Sequence, residues 1–111
     1  MKMLQKIKEH LEVVEIAFVI IVELAGVDWN RDVLASNGCI EFVLIAMLGN
    51  EESLSLQEKG CHVVSCFAKT PKYQEWIVAS NGIDVIVTTQ SAFQSDVEIQ
   101  IACFKALHTL A

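Results

Sequence analysis

Proline is almost missing from this chain and glycine is sparse, with one Pro and five Gly in 111 residues. No linker or low-complexity run stands out, so there is little room for disorder. Basic charge is short too: eight Lys and Arg against fourteen Asp and Glu leave a net charge of −6. Proteins that bind nucleic acids concentrate cations against phosphate, so this balance argues against a nucleic-acid partner and favours basic ones. Long apolar runs are lacking. The most hydrophobic stretch, residues 16–22, is bracketed by Glu15 and Glu23. A membrane span needs about 20 apolar residues, so the stretch reads as core and no membrane partner is expected. Lys2, Lys6 and Lys8 open the chain, but Glu9, Glu12 and Glu15 spoil a signal peptide. The four cysteines (Cys39, Cys61, Cys66, Cys103) form no CxxC pair and fit neither a zinc finger nor a disulfide scaffold. Each has apolar neighbours, so all four are expected as reduced thiols acting as small hydrophobes in a soluble, cytoplasmic protein. There is no Gly-rich phosphate loop and no HExxH, so no cofactor or metal is expected.

What is present is apolar mass and repetition. A hydrophobic fraction of 53% is ample for one domain, or for a slice of a larger array. Ala35-Ser36-Asn37-Gly38 recurs as Ala79-Ser80-Asn81-Gly82, an offset of 44 that also pairs Trp29 with Tyr73. After the motif the offset falls to 43, and residues 40–68 track 83–111 in hydrophobic character. Identities are few: Ile40/Ile83, Gln57/Gln100 and Ala68/Ala111. A period of this length predicts a helical solenoid and makes an enzyme active site unexpected.

The repeat also arbitrates secondary structure. Read alone, the β-branched stretch 83–89 looks like a strand. Its partner carries Ile40, Val43, Leu44 and Met47 at helical spacing, and Ile83, Ile86 and Val87 keep that spacing. Each unit is therefore predicted as three helices. A short first helix opens in the later unit with Thr70 as N-cap and Pro71 at the first helical position. It ends at the Ser-Asn-Gly turn, whose Asn and Gly suit a left-handed stop. The second helix spans about 40–48 and 83–92. The third spans about 53–68 and 96–111, with a capping box offered by Ser95-Asp96-Val97-Glu98. An earlier third helix falls at 11–25. Ala17, Gly60 and Cys103 then share one column of small residues, which predicts a close approach by a neighbouring helix.

A short helix, an Asn-Gly turn, a second helix, and a longer one closing on Ala106-Leu107-His108-Thr109-Leu110-Ala111 resembles the armadillo repeat. Val63-Val64-Ser65-Cys66-Phe67-Ala68 is a degenerate copy of that ending. The resemblance implies an all-α, right-handed α-solenoid of roughly two and a half repeats: the end of one repeat at 1–25, a second at 26–68 and a third at 69–111. It also implies a concave groove, lined by the third helices, that binds extended peptides or protein partners. Peptide-binding members carry an Asn ladder and a Trp ladder there. In this chain the Asn positions hold Glu23, Cys66 and Thr109, and the Trp positions hold Val19, His62 and Lys105. Both ladders are absent, so the resemblance carries the fold and not the nuclear-localisation-signal ligand.

Those six residues, with Glu15 and Glu58 on the same face, are the candidate partner-binding residues. Glu12, Glu15, Val19 and Glu23 form a stripe that either is a solvated face or receives a basic peptide. His62 and Cys66, four residues apart, share a face, but nothing in the sequence completes a metal site or a nucleophilic pair. Trp29, Tyr73 and Trp76 are expected to staple the first helices to the next repeat. The alternatives to a non-enzymatic interaction scaffold are a small α/β domain with 83–89 as a central strand, or a structural spacer. Repeats cannot bury their faces alone. The apolar face of Ala106, Leu107 and Leu110 therefore implies a longer array, a capping partner or a homo-oligomer.

Overall fold

The computed structural model describes residues 2–110, with the side chains of residues 2, 6 and 9–110, and 83% of it is helix. Its elements are α1 (Lys2–Leu24), α2 (Asp28–Ser36), α3 (Cys39–Gly49), α4 (Leu54–Phe67), α5 (Pro71–Ala79), α6 (Gly82–Ala92) and α7 (Val97–Leu110). Among the described residues there is no strand. The stretch 83–89 lies inside α6 with Val85 and Ile86 buried, which overturns the α/β alternative. Tertiary packing has overridden the β-branched preference there. The first helix runs back to Lys2, well beyond the expected start near residue 11. The closing Ala111 lies outside the described residues.

The helices correct the sequence register. Each pair of equivalent helices (α2 and α5, α3 and α6, α4 and α7) is offset by 43 residues at both ends. The offset of 44 that aligned the two Ala-Ser-Asn-Gly copies is therefore a one-residue slip. The physical position that repeats is a left-handed residue: Gly38 at φ 82° and Asn81 at φ 66°. Gly and Asn are the residue types that adopt this conformation at least cost, so either ends the first helix. Gly82 does another job as the first residue of α6. A Cβ there would collide with Cγ2 of Ile77 and lie 2.8 Å from its carbonyl oxygen.

Polar side chains keep the 43-residue register more faithfully than the motif does. Arg31 Nε donates to the carbonyl of Ala25 at 2.9 Å, and Gln74 Nε2 donates to that of Ala68 at 2.6 Å. Ser53 Oγ accepts from Leu56 N–H, and Asp96 Oδ1 accepts from Ile99 N–H, each capping a third helix. The later cap is thus Asp96 itself, one residue beyond the Ser95 start of the expected box. Thr70 sits at the N-cap position of α5 but its hydroxyl accepts from Arg31 Nη1 at 2.9 Å. Most tellingly, Gln57 Nε2 donates to the carbonyls of Met47 and Asn50, and Gln100 Nε2 to those of Gln90 and Phe93. Each glutamine thereby satisfies carbonyls that the end of a second helix would leave orphaned. Gln57 is fully buried, and its Oε1 also accepts from Thr89 on α6 at 2.8 Å.

The third helices form one layer, with α4 packed between α1 and α7. Phe18, Leu56, Val63, Phe67 and Ile99 are buried in it, and α3 and α6 cover its other side. Gly60 leaves room for Met47 of α3: a Cβ there would lie 2.5 Å from Met47 Sδ and 2.7 Å from its Cγ. At Gly60 the close approach is made by a methionine side chain of α3.

Two outcomes follow for stability. Gly60→Leu should destabilise by on the order of 1–3 kcal/mol in chemical denaturation, because buried Met47 has no space to yield. Adding Met47→Ala should return part of the loss, and strict additivity of the two changes would count against the contact. Gln57→Leu should cost on the order of 3 kcal/mol by stranding buried carbonyls. Gln100→Leu should cost less in the same urea titration, because its half-buried surroundings admit water.

Candidate functional site

One face of the α1–α4–α7 layer is open, and two shallow clefts run across it. The first, about 180 Å³, lies where α1 meets α4 and is lined by Phe18, Val19, Val22, Glu23, Glu58, Lys59 and His62. The second, about 170 Å³, lies where α4 meets α7 and is lined by Val22, His62, Ser65, Cys66, Lys69, Ala102 and Lys105. Val22 and His62 belong to both, so the two form one continuous depression over the central helix.

Six of the eight candidate residues line these clefts: Val19, Glu23, Glu58 and His62 in the first, and His62, Cys66 and Lys105 in the second. The other two are engaged elsewhere. Glu15 accepts from Lys59 Nζ at 3.1 Å, and the same Nζ donates to Ser55 Oγ at 2.8 Å. Thr109 Oγ1 donates to the carbonyl of Lys105 on its own helix at 2.7 Å. Sequence reasoning missed Phe18, Val22, Lys59, Ser65, Lys69 and Ala102. A signal for some of them was available: Val22, Ser65 and Ala102 each lie three residues from a candidate on the same helix and so share its face.

The electrostatics differ from end to end. Glu23 and Glu58 edge the first cleft, and the nearby Lys59 is held by Glu15. Lys69 and Lys105 edge the second. The expected acidic stripe lies on α1; the depression is acidic over α1–α4 and basic over α4–α7.

The buried Cys39 and Cys61 thiols are held in the neutral form. Burial, aided by the charge of Glu41, pushes the Cys39 thiol up to about 11, so it is not a thiolate at neutral pH. Cys61 and Cys103 are buried with their sulfurs 4.0 Å apart, and the shared hydrogen bond and burial push the Cys61 thiol up as well. Among the described residues no three His, Cys, Asp or Glu converge as a metal site. The aromatic staple is only half realised. Trp76 Nε1 donates to Glu41 Oε2 on α3 at 3.1 Å, and buried Tyr73 packs edge-on against Phe67 with its hydroxyl bonded to Asp32. Trp29 is 74% exposed, so it is no staple and no equivalent of Tyr73; the register slip explains that mispairing.

A hydrogen bond from Ser55 and the nearby Lys59 hold the Glu15 carboxyl below the ordinary carboxylate range despite its burial. A carboxyl lowered by folding contributes stability that is present above its unfolded pKa, about 4.3, and is lost as pH falls through the folded value. Stability should therefore decline below about pH 4.5, and Glu15→Gln should flatten that decline in thermal melts. An unchanged profile would show that the ion pair is not maintained in solution.

Neither the curated proteins nor the solved structures contain a match to this chain. A family model described as the LRRK2 ARM repeat matches residues 1–111. ARM repeats generally mediate protein interactions and are typically non-catalytic. Three stacked third helices, each preceded in the complete units by two shorter ones at a constant 43-residue offset, agree with that match. The chain belongs to the LRRK2 ARM repeat family.

Proposed function

We propose that this chain is a non-enzymatic interaction module that takes an extended peptide segment of a partner protein across α1, α4 and α7. One observation carries the proposal: the columns at 19/62/105 and 23/66 supply residues to two adjoining clefts that share Val22 and His62. The clefts offer an apolar floor from Phe18, Val19 and Val22, with charge at the rim, an arrangement suited to side chains of an extended strand. Glu23 and Glu58 favour a basic residue over the α1–α4 cleft, while Lys69 and Lys105 favour a carboxylate over the α4–α7 cleft. Residues 1–25, 26–68 and 69–111 are read as the end of one repeat and two complete ones. The faces of α1 and α7 are read as contacts either with a second copy of the chain or with neighbouring repeats of a longer array.

The net charge of −6 disfavours nucleic acid. Among the described residues no single helix is long and apolar enough to cross a membrane. The four free thiols, three of them buried, fit a reducing compartment, and the cytoplasm is the proposed location.

The test uses fluorescence anisotropy with short labelled peptides whose first half is basic and second half acidic, alongside all-acidic controls. Reversing both cleft acids, Glu23→Lys with Glu58→Lys, should weaken the mixed-charge peptides about tenfold, or roughly 1.4 kcal/mol. Reversing the exposed Glu75 and Asp84 should not. Equal losses from both pairs would mean that net charge, and not the clefts, holds the peptide.

A further inference from the structure

The junction of α4 with α7 holds two nucleophilic side chains that the clefts do not use. Cys61 of α4 and Cys103 of α7 are fully buried, with their sulfurs 4.0 Å apart and 42 residues of chain between them. Cys103 also lies 3.8 Å from the carbonyl oxygen of Ile86. That carbonyl only accepts, so Cys103 donates to it and Cys61 donates to Cys103. The shared hydrogen bond holds the Cys103 thiol below its ordinary value, although burial opposes the shift. Cys103 is therefore the sulfur that ionises first and the one that attacks an electrophile. Of the other two thiols, Cys39 lies on α3 and Cys66 lines the α4–α7 cleft.

A disulfide holds its sulfurs at about 2.05 Å, so this pair has roughly 2 Å to close. His62 follows Cys61, Ala102 precedes Cys103, and both of those neighbours line the α4–α7 cleft. A bond between the cysteines would join the two walls of that cleft one residue away from its lining.

We propose that Cys61 and Cys103 are a reversible thiol–disulfide site, closed by a peroxide and reopened by a small thiol such as glutathione, which fastens α4 to α7. The Cys103 thiolate attacks one peroxide oxygen, the O–O bond breaks, and the departing hydroxide takes a proton and leaves as water. Cys103 is then a sulfenic acid. The Cys61 sulfur attacks it, the S–S bond forms as the S–O bond breaks, and the Cys61 proton leaves with the hydroxide as a second water. Two thiols thus lose two electrons to one peroxide. Two molecules of the small thiol reverse the step by exchange and become its disulfide. Intracellular disulfides are characteristically transient and redox-sensing, which suits a pair held reduced until an oxidant arrives. Peroxide is little larger than water and reaches the buried pair through local opening of the helix junction. The site does not depend on what the clefts bind.

The test treats the reduced 111-residue chain with hydrogen peroxide under native conditions, alkylates it in denaturant and maps the peptides by mass spectrometry. The chain should lose two hydrogens, with Cys61 joined to Cys103 and both protected from alkylation, and reduced glutathione should restore both thiols. Cys66→Ser should keep the bridge and Cys103→Ser should lose it. Oxidised in urea, the unaltered chain should favour Cys61 with Cys66 instead, because that loop is far shorter. A native-state bridge to Cys39 or Cys66 overturns the proposal. So does sulfinic acid at Cys103 with Cys61 left free, or a pair that remains alkylatable after prolonged exposure to peroxide.

Discussion

The burial of α4 on both flanks is the constraint on which the rest of this molecule depends. Leu56, Val63, Val64 and Phe67 are all buried on α4, and Cys61 is buried with its sulfur 4.0 Å from that of Cys103 on α7. Packing of this type stabilises in proportion to the apolar area withdrawn from water. It also fixes spacing, because interiors are close-packed and a change of one side chain is felt by its neighbours. Gly60 under Met47 shows how little slack remains.

Polar chemistry then sets the register within that apolar layer. Gln57 and Gln100 each reach back to the carbonyls at the end of the preceding helix, and Arg31 and Gln74 each reach the carbonyl of a closing alanine. An unmade bond at such a place costs more than the bond itself contributes, because the stranded carbonyl has already lost its water. These four side chains hold each helix turn in one place. Apolar contacts alone would tolerate a slip more readily.

The same stacking logic produces the surfaces available for interaction. Third helices laid side by side leave a seam at each junction, and the two clefts are those seams. The depression they form carries charge that changes sign along its length.

Much of this was legible in the chain before folding. Helical spacing at Ile40, Val43, Leu44 and Met47, the Gln57/Gln100 identity and the near-absence of Pro determine seven helices' worth of periodicity. They also place Val19, His62 and Lys105 in one column. These are local properties, set by the 3.6-residue turn and by which residues can begin or end it. Tertiary structure alone decided the rest. It replaced an offset of 44 by 43, because the repeated element is a left-handed backbone position that Gly38 and Asn81 fill equally well, and identity of letters does not report conformation. It turned Trp29 outward and Tyr73 inward, bound Glu15 to Lys59, and set a basic cleft beside the acidic one. Each of those outcomes depends on which side chains meet across helices that are distant in sequence, and a period read along one strand of residues does not contain that information.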